Sequence, residues 1–138
     1  MRPTSILYFE RLSLLSILVG IVFTWIDWDK QIASAQASGL APAVVPITLG
    51  FSLALLLLLI FLISRKGLAI AKWIFVALFA LGLVFSVPQV IQALDRGLVG
   101  LLQLTQLVVQ AMAIYFLFTP EARDWFRTGR TEPARPPA

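Results

Sequence analysis

Three glutamines interrupt an otherwise apolar segment, LLQLTQLVVQAM, at residues 101–112. Each side chain carries an amide that both donates and accepts hydrogen bonds, and hydrocarbon offers no partner for either function. At about 100° per residue, Gln103, Gln106 and Gln110 fall within an arc of about 60° on one helix face. This spacing predicts a polar line that could bind a small molecule, line a pore or hydrogen-bond to neighbouring helices.

Glu10 is the only acidic residue within reach of the interior of an apolar segment. Carboxylates inside membranes often belong to functional sites, so a proton- or cation-coupled site is one interpretation. Glu10 lies near the start of its segment, however, and Lys72 is expected at a similar depth. An interfacial ion pair between Glu10 and Lys72 is therefore the favoured interpretation. In four-helix efflux antiporters of the small multidrug resistance type the acid lies at mid-depth, so their sites are not transferred to this chain.

Other reactive groups are scarce. The chain contains no cysteine and no histidine, which excludes thiol nucleophiles, thiolate metal sites and histidine acid–base chemistry. Asp27 and Asp29 lie close together at the end of an apolar segment. We expect them to keep the following loop hydrated rather than to bind a cation. The sequence therefore predicts no catalytic activity, no cofactor and no metal site.

The composition identifies the elements that must position these residues. Hydrophobic residues make up 59% of the 138 residues and charged residues only 13%, whereas soluble domains carry about 25% charge. A membrane-crossing helix needs about 20 apolar residues, and four stretches qualify: about 6–28, 44–64, 69–94 and 98–118. We predict an all-α fold, a membrane-spanning antiparallel four-helix bundle over residues 1–126, followed by a disordered cytoplasmic tail over residues 127–138.

The basic residues predict the orientation of this bundle. Nine of the eleven lie at one end of the four predicted spans: Arg2, Arg11, Arg65, Lys66, Lys72, Arg123, Arg127, Arg130 and Arg135. Only Lys30 and Arg96 lie at the other end. The positive-inside rule therefore places both termini in the cytoplasm. The positive charge is expected to attract anionic lipids at the cytoplasmic face, and nucleic-acid binding is not expected.

The segment between the first two spans, residues 31–43, is expected to be an external loop that includes a short interfacial helix before Gly39 and Pro42. Its ASA sequence at residues 33–35 resembles the cleavage site of a secretory signal. Cleavage is the less favoured alternative, since Asp27, Asp29 and Lys30 separate this site from the apolar stretch.

Small and hydroxyl-bearing residues follow the other predicted spans. In the first, Ser16, Gly20 and Thr24 have the small-xxx-small spacing that lets helices approach closely. The predicted polar interior comprises eight residues: Gln103, Gln106, Gln110, Ser16, Thr24, Thr48, Ser52 and Ser86. We favour hydrogen bonds between helices, in particular between the first and fourth spans. The alternatives are a polar cavity open to the outside that takes a small ligand, and an oligomeric pore with the glutamines facing its axis.

Three segments carry a family resemblance: RPTSILYFERLSLLSILVGIV, SRKGLAIAKWIFVALFALGL and AIYFLFTPEARDWF. Together they resemble an uncharacterised family of small four-helix inner-membrane proteins of Gram-negative bacteria, over about residues 2–127. The resemblance implies a multi-pass protein of the bacterial inner membrane and brings no assigned activity. In the last segment, Pro120 is expected to stop the fourth helix, and Trp125 and Phe126 to lie in the lipid interface.

Two hypotheses about function follow. The favoured one is a structural or accessory membrane protein that packs through its helix faces, with a second copy of the chain or another membrane protein as partner. The alternative is a small oligomeric transporter or channel with a glutamine-lined interior. Glutamines paired in a dry core would favour the first hypothesis, and glutamines lining a wet cavity would favour the second.

Overall fold

A computed structural model of the chain describes residues 2–128, and it is entirely helical apart from short connections. The six α-helices are α1 (Thr4–Ile26), α2 (Trp28–Ala37), α3 (Val44–Lys66), α4 (Ala69–Ala93), α5 (Leu98–Phe116) and α6 (Pro120–Thr128). A single 3₁₀ turn, Leu94–Arg96, joins α4 to α5. Four of the helices, α1, α3, α4 and α5, are long and apolar enough to cross a membrane.

Two of the three connections between the long helices are short: residues 67–68 after α3 and residues 94–97 after α4. Gly67 adopts φ 60°, in the left-handed region that glycine enters without steric cost, and this ends α3. The backbone N–H of Leu68 then bonds to the carbonyl of Leu62 at 3.4 Å, and α4 begins at the next residue. The chain therefore reverses direction sharply between α3 and α4. Between α1 and α2, one non-helical residue, Asp27, separates the two helices.

One compact apolar core shows that the bundle is antiparallel. It joins Ile6 and Phe9 near the start of α1 to Ile63 near the end of α3, Phe75 near the start of α4 and Leu117 just beyond α5. Helix starts therefore meet helix ends, so neighbouring long helices run in opposite directions. The phenyl rings of Phe9 and Phe75 pack edge to face with centroids 5.3 Å apart. We call this end of the bundle the closed end.

Most large apolar side chains outside this core face outward. Phe51, Phe85 and Ile91 are 70%, 68% and 62% exposed, and α4 buries few of its side chains. A water-soluble monomer rarely exposes so much contiguous apolar surface, whereas lipid chains cover such a surface in a bilayer. The chain is therefore a helical, multi-pass membrane protein.

The predicted spans agree with the four long helices to within two residues at every end. The short helix expected in the first loop is α2. One element was not predicted: the chain forms a further helix, α6, from Pro120 onward. Pro120 occupies the first turn of α6, where its missing N–H costs little. Residues 127 and 128 belong to α6, and the rest of the predicted disordered tail lies outside the described residues.

Candidate functional site

A cavity of about 560 Å³ lies among the four long helices, beside the apolar core. We call it the deep cavity. Its polar lining residues are Ser13, Ser16 and Thr24 of α1, Ser52 of α3, Ser86 of α4, and Gln103, Gln106 and Gln110 of α5. Its apolar lining comes mainly from leucine and phenylalanine side chains of α3 and α4. The polar groups of the cavity thus lie mainly on α1 and α5, within a lining that is largely apolar.

The lining of the deep cavity includes no acidic and no basic side chain. An ion placed there without a counter-charge would lose its hydration and gain no compensating ion pair. The groups that can interact specifically with a bound molecule are therefore neutral hydroxyls and amides. Each hydroxyl and each amide can donate and accept hydrogen bonds.

The three glutamine amides make no hydrogen bond to any residue of the described chain. Gln106 reaches across to α1, where Gly20 leaves room for it. A Cβ built on Gly20 would lie 2.5 Å from Gln106 Nε2, far inside van der Waals contact. The amide therefore occupies the space that a side chain at position 20 would fill, and α1 and α5 form the most extensive helix interface of the bundle.

Ser13 lies deepest among the polar α1 residues that line the cavity, and it is 1% exposed. Its Oγ is the one buried side-chain polar atom, within residues 2–128, that has no hydrogen-bond partner. A buried hydroxyl without a partner carries an uncompensated desolvation cost. Because a water-sized group cannot reach this Oγ in the present conformation, the side chain would have to rotate toward the cavity to gain a partner.

The deep cavity ends at the closed end of the bundle. Ile60 and Phe75 line it and also belong to the apolar core, where Phe75 is 1% exposed. Below them, Ile6, Ile63 and Leu117 are completely buried. In this conformation the cavity is a blind pocket and does not form a pore through the chain.

A second cavity of about 830 Å³ lies at the opposite end, next to α2. We call it the vestibule. Phe23, Thr24, Leu49 and Gln103 line both cavities, so the two are adjacent. The vestibule carries the charges that the deep cavity lacks: Asp27, Lys30 and Arg96. Lys30 Nζ bonds to Asp27 Oδ1 at 2.8 Å.

The structure brings the predicted polar interior together around these two cavities. Seven of the eight residues line the deep cavity, and Thr48 lines the vestibule. The predicted hydrogen bonds between helices do not form among these eight side chains. Helical phase put them on faces that line the two cavities, but no hydroxyl or amide of this set lies within hydrogen-bond distance of another.

The predicted ion pair between Glu10 and Lys72 is wrong. Glu10 pairs instead with Arg2, in the extended residues before α1. Lys72 is 8% exposed, and its Nζ lies 4.7 Å from the ring centroid of Phe118 and 4.9 Å from that of Phe126. These distances allow favourable cation–π contacts. Aromatic rings at the closed end therefore take the place that the carboxylate was expected to occupy.

Helix α6 seals the closed end, and sequence analysis missed this role. Ala122 and Phe126 are buried in the core, and Trp125 Nε1 donates a hydrogen bond to the carbonyl of Ile63 at 3.2 Å. Ser5 Oγ donates a hydrogen bond to Glu121 at 3.3 Å. Phe126 thus packs inside the protein instead of in the lipid interface. Its spacing of four residues from Ala122 was the available signal, since residues four apart share a helix face.

Comparison with known proteins assigns no family. No protein-family model matches the chain. Neither the curated proteins nor the solved structures give a match. The function must therefore be inferred from the site itself.

Proposed function

We propose that this membrane protein binds a small, uncharged, amphipathic molecule in the deep cavity, which the molecule enters through the vestibule. The observation that carries the proposal is the state of Gln103, Gln106 and Gln110. Their amides face a common cavity and make no hydrogen bond to the described protein. A ligand that supplies those hydrogen bonds would gain the interactions that the protein leaves unmade.

The dimensions and chemistry of the site fit this class of ligand. Small-molecule sites typically enclose about 300–1,000 Å³ and combine a mainly apolar lining with a few polar groups that fix orientation. The deep cavity, at about 560 Å³, falls inside this range. Its uncharged lining favours a neutral ligand, and the largely apolar character of that lining favours a ligand with an apolar face.

We further propose that the closed end faces the cytoplasm of a bacterium and that the site opens away from it, in the inner membrane. Seven basic residues of the described chain lie at the closed end: Arg2, Arg11, Arg65, Lys66, Lys72, Arg123 and Arg127. Only Lys30 and Arg96 lie at the vestibule end. The positive-inside rule supports this orientation, and anionic lipids would bind at the same basic face.

A structural or accessory role is the second candidate. It is supported by α4, whose outward face exposes Val84, Phe85 and Ile91 and buries little surface within the chain. That face could pack against a second copy or another membrane protein. We rank it second because lipid can cover an apolar helix face, whereas lipid chains cannot hydrogen-bond to the glutamine amides.

The proposal is tested by filling the cavity. Gly82 lines the deep cavity, and a Cβ built there meets no atom within 4 Å, so Gly82→Leu adds a bulky side chain at the cavity wall. Gly50→Leu is the matched control, because Gly50 is equally unobstructed and lines neither cavity. Calorimetric titration of protein in lipid nanodiscs with 2-naphthol, corrected by empty nanodiscs, measures saturable binding.

We expect the wild type and Gly50→Leu to bind 2-naphthol saturably and Gly82→Leu to lose that binding. Gln106→Leu should weaken it by about three- to tenfold, the value of one hydrogen bond. Equal titrations for all four proteins would refute the proposal and leave helix-face association as the better-supported function.

A further inference from the structure

Two polar groups lie toward the floor of the deep cavity. Ser13 is the polar α1 lining residue farthest from the vestibule, and Gln110 is the α5 glutamine farthest from it. Ser13 Oγ is buried without a partner, and the Gln110 amide makes no hydrogen bond. These groups come from the two helices that share the most extensive interface. Two polar groups without hydrogen-bond partners therefore lie even at the end of the site nearest the apolar core.

The chemistry of these groups limits what can satisfy them. The serine hydroxyl offers one donor and two acceptor positions, and the glutamine amide offers two donors and an acceptor. A group that only accepts, such as an ether, or only donates would leave part of this capacity unused. Once the Ser13 hydroxyl rotates toward the cavity, from which it is closed off in this conformation, a hydroxyl or a primary carboxamide can exchange hydrogen bonds with both residues.

We infer that the ligand binds with its polar end at the floor of the deep cavity, at Ser13 and Gln110. This inference rests on the proposed function. The ligand class is a neutral molecule with an apolar ring or short chain and one terminal hydroxyl or carboxamide. Ser13 and Gln110 hold the terminal group, and the apolar body lies against the leucine and phenylalanine side chains of α3 and α4.

In the opposite orientation, the polar end of the ligand would lie in the vestibule, where a negative charge would be favoured. Arg96 lines the vestibule and forms no ion pair within the described chain. An anionic amphiphile could place its head group near Arg96 and its apolar part in the deep cavity. That arrangement would leave Ser13 Oγ and the Gln110 amide facing hydrocarbon, which costs free energy for each unpaired group. The floor-bound orientation satisfies both groups.

Three related probes separate these orientations: 2-naphthol, naphthalene and naphthalene-2-carboxylate. Each is titrated into wild-type protein in nanodiscs, with empty nanodiscs subtracted. The same titrations are made with Ser13→Ala and Gln110→Leu. Thr105→Val is the matched control, because Thr105 is exposed on α5, lines neither cavity, and bonds to the carbonyl of Leu101 at 2.8 Å.

The wild type should bind 2-naphthol about three- to tenfold more tightly than naphthalene, and the carboxylate most weakly. Ser13→Ala and Gln110→Leu should each reduce the preference for naphthol over naphthalene, with naphthalene affinity retained. Thr105→Val should keep the wild-type preference.

Three results would overturn the inference, and they are distinguishable. Equal binding of naphthol and naphthalene would refute the floor site while leaving the cavity a binding site. Tightest binding of the carboxylate, unaffected by Ser13→Ala, would establish the vestibule-anchored orientation instead. An absence of saturable binding for all three probes would refute the proposed function as well.

Discussion

At the scale of single residues, Gly20 sets how closely Gln106 can approach α1. Gly20→Leu would place a side chain where the amide now lies, 2.5 Å from the position of the new Cβ. The amide is the end of a flexible side chain beside the cavity and can move aside, so we expect the free energy of unfolding to fall by only about 1 kcal/mol. Unfolding by titration with sodium dodecyl sulfate measures the change.

Two further variants isolate the cause of that change. Gly50→Leu makes the same substitution in open space, so it should leave stability unchanged or slightly raised. Adding Gln106→Ala to Gly20→Leu removes the obstructing amide and should recover more than half of the lost stability. If Gly20→Leu proves as stable as Gly50→Leu, the close approach of Gln106 to α1 is incorrect.

At the scale of elements, α6 closes one end of the bundle through Ala122, Trp125 and Phe126. Its contacts reach α1 through Ser5 and the end of α3 through the Ile63 carbonyl. Because this short helix buries Ala122 and Phe126 on one face and exposes charged residues on the other, it behaves as a cap on the apolar core. The cap packs against the core residues that lie beyond the blind end of the deep cavity.

Phe126→Ala tests the cap. Removing a buried phenyl ring from a packed core costs about 3 kcal/mol or more, so we expect a clear loss of stability in the same detergent titration. Phe85→Ala is the control, since Phe85 is 68% exposed and should change stability by less than about 0.5 kcal/mol. Similar losses for the two variants would contradict a packing role for Phe126.

The long helices could be predicted from the sequence because each is a continuous apolar stretch of bilayer length. Helix α6 could not be predicted as a cap in the same way: PEARDWFRT is polar on average, and only the spacing of Ala122 and Phe126 marks its buried face. Helical periodicity also placed the glutamines on an inward face. Periodicity does not give the distance between individual side chains on facing helices, and that distance decides whether two polar groups bond to each other or line a cavity.

The prediction of an ion pair between Glu10 and Lys72 was wrong for a related reason. Counting residues along each span gives depth in the membrane but no position around the bundle. Arg2 lies in the extended segment before α1, where it can fold back to Glu10, and the aromatic rings of Phe118 and Phe126 surround Lys72. Partners from outside the spans therefore replaced the predicted one.

At the scale of the whole molecule, packing density differs between the two ends. The closed end contains nearly the entire apolar core, whereas two adjacent cavities lie toward the end near α2. A bundle that is tight at one end and hollow at the other can expose polar groups to one side of a membrane only. The central claim is thus that the glutamine line meets water or ligand and not other side chains.

Thiol labelling tests that claim most directly, because the chain contains no cysteine and each single-cysteine variant has one target. Gln106→Cys lies in the deep cavity, and Thr105→Cys, its neighbour, lies on the exposed outer face of α5. A thiol must ionise to react, and hydrocarbon suppresses ionisation. A small, membrane-impermeant thiol reagent should therefore label Gln106→Cys rapidly and Thr105→Cys slowly in sealed vesicles, and only from the side opposite the termini. Equally slow labelling at both positions, or labelling of Gln106→Cys from the side of the termini, would contradict an open, glutamine-lined cavity.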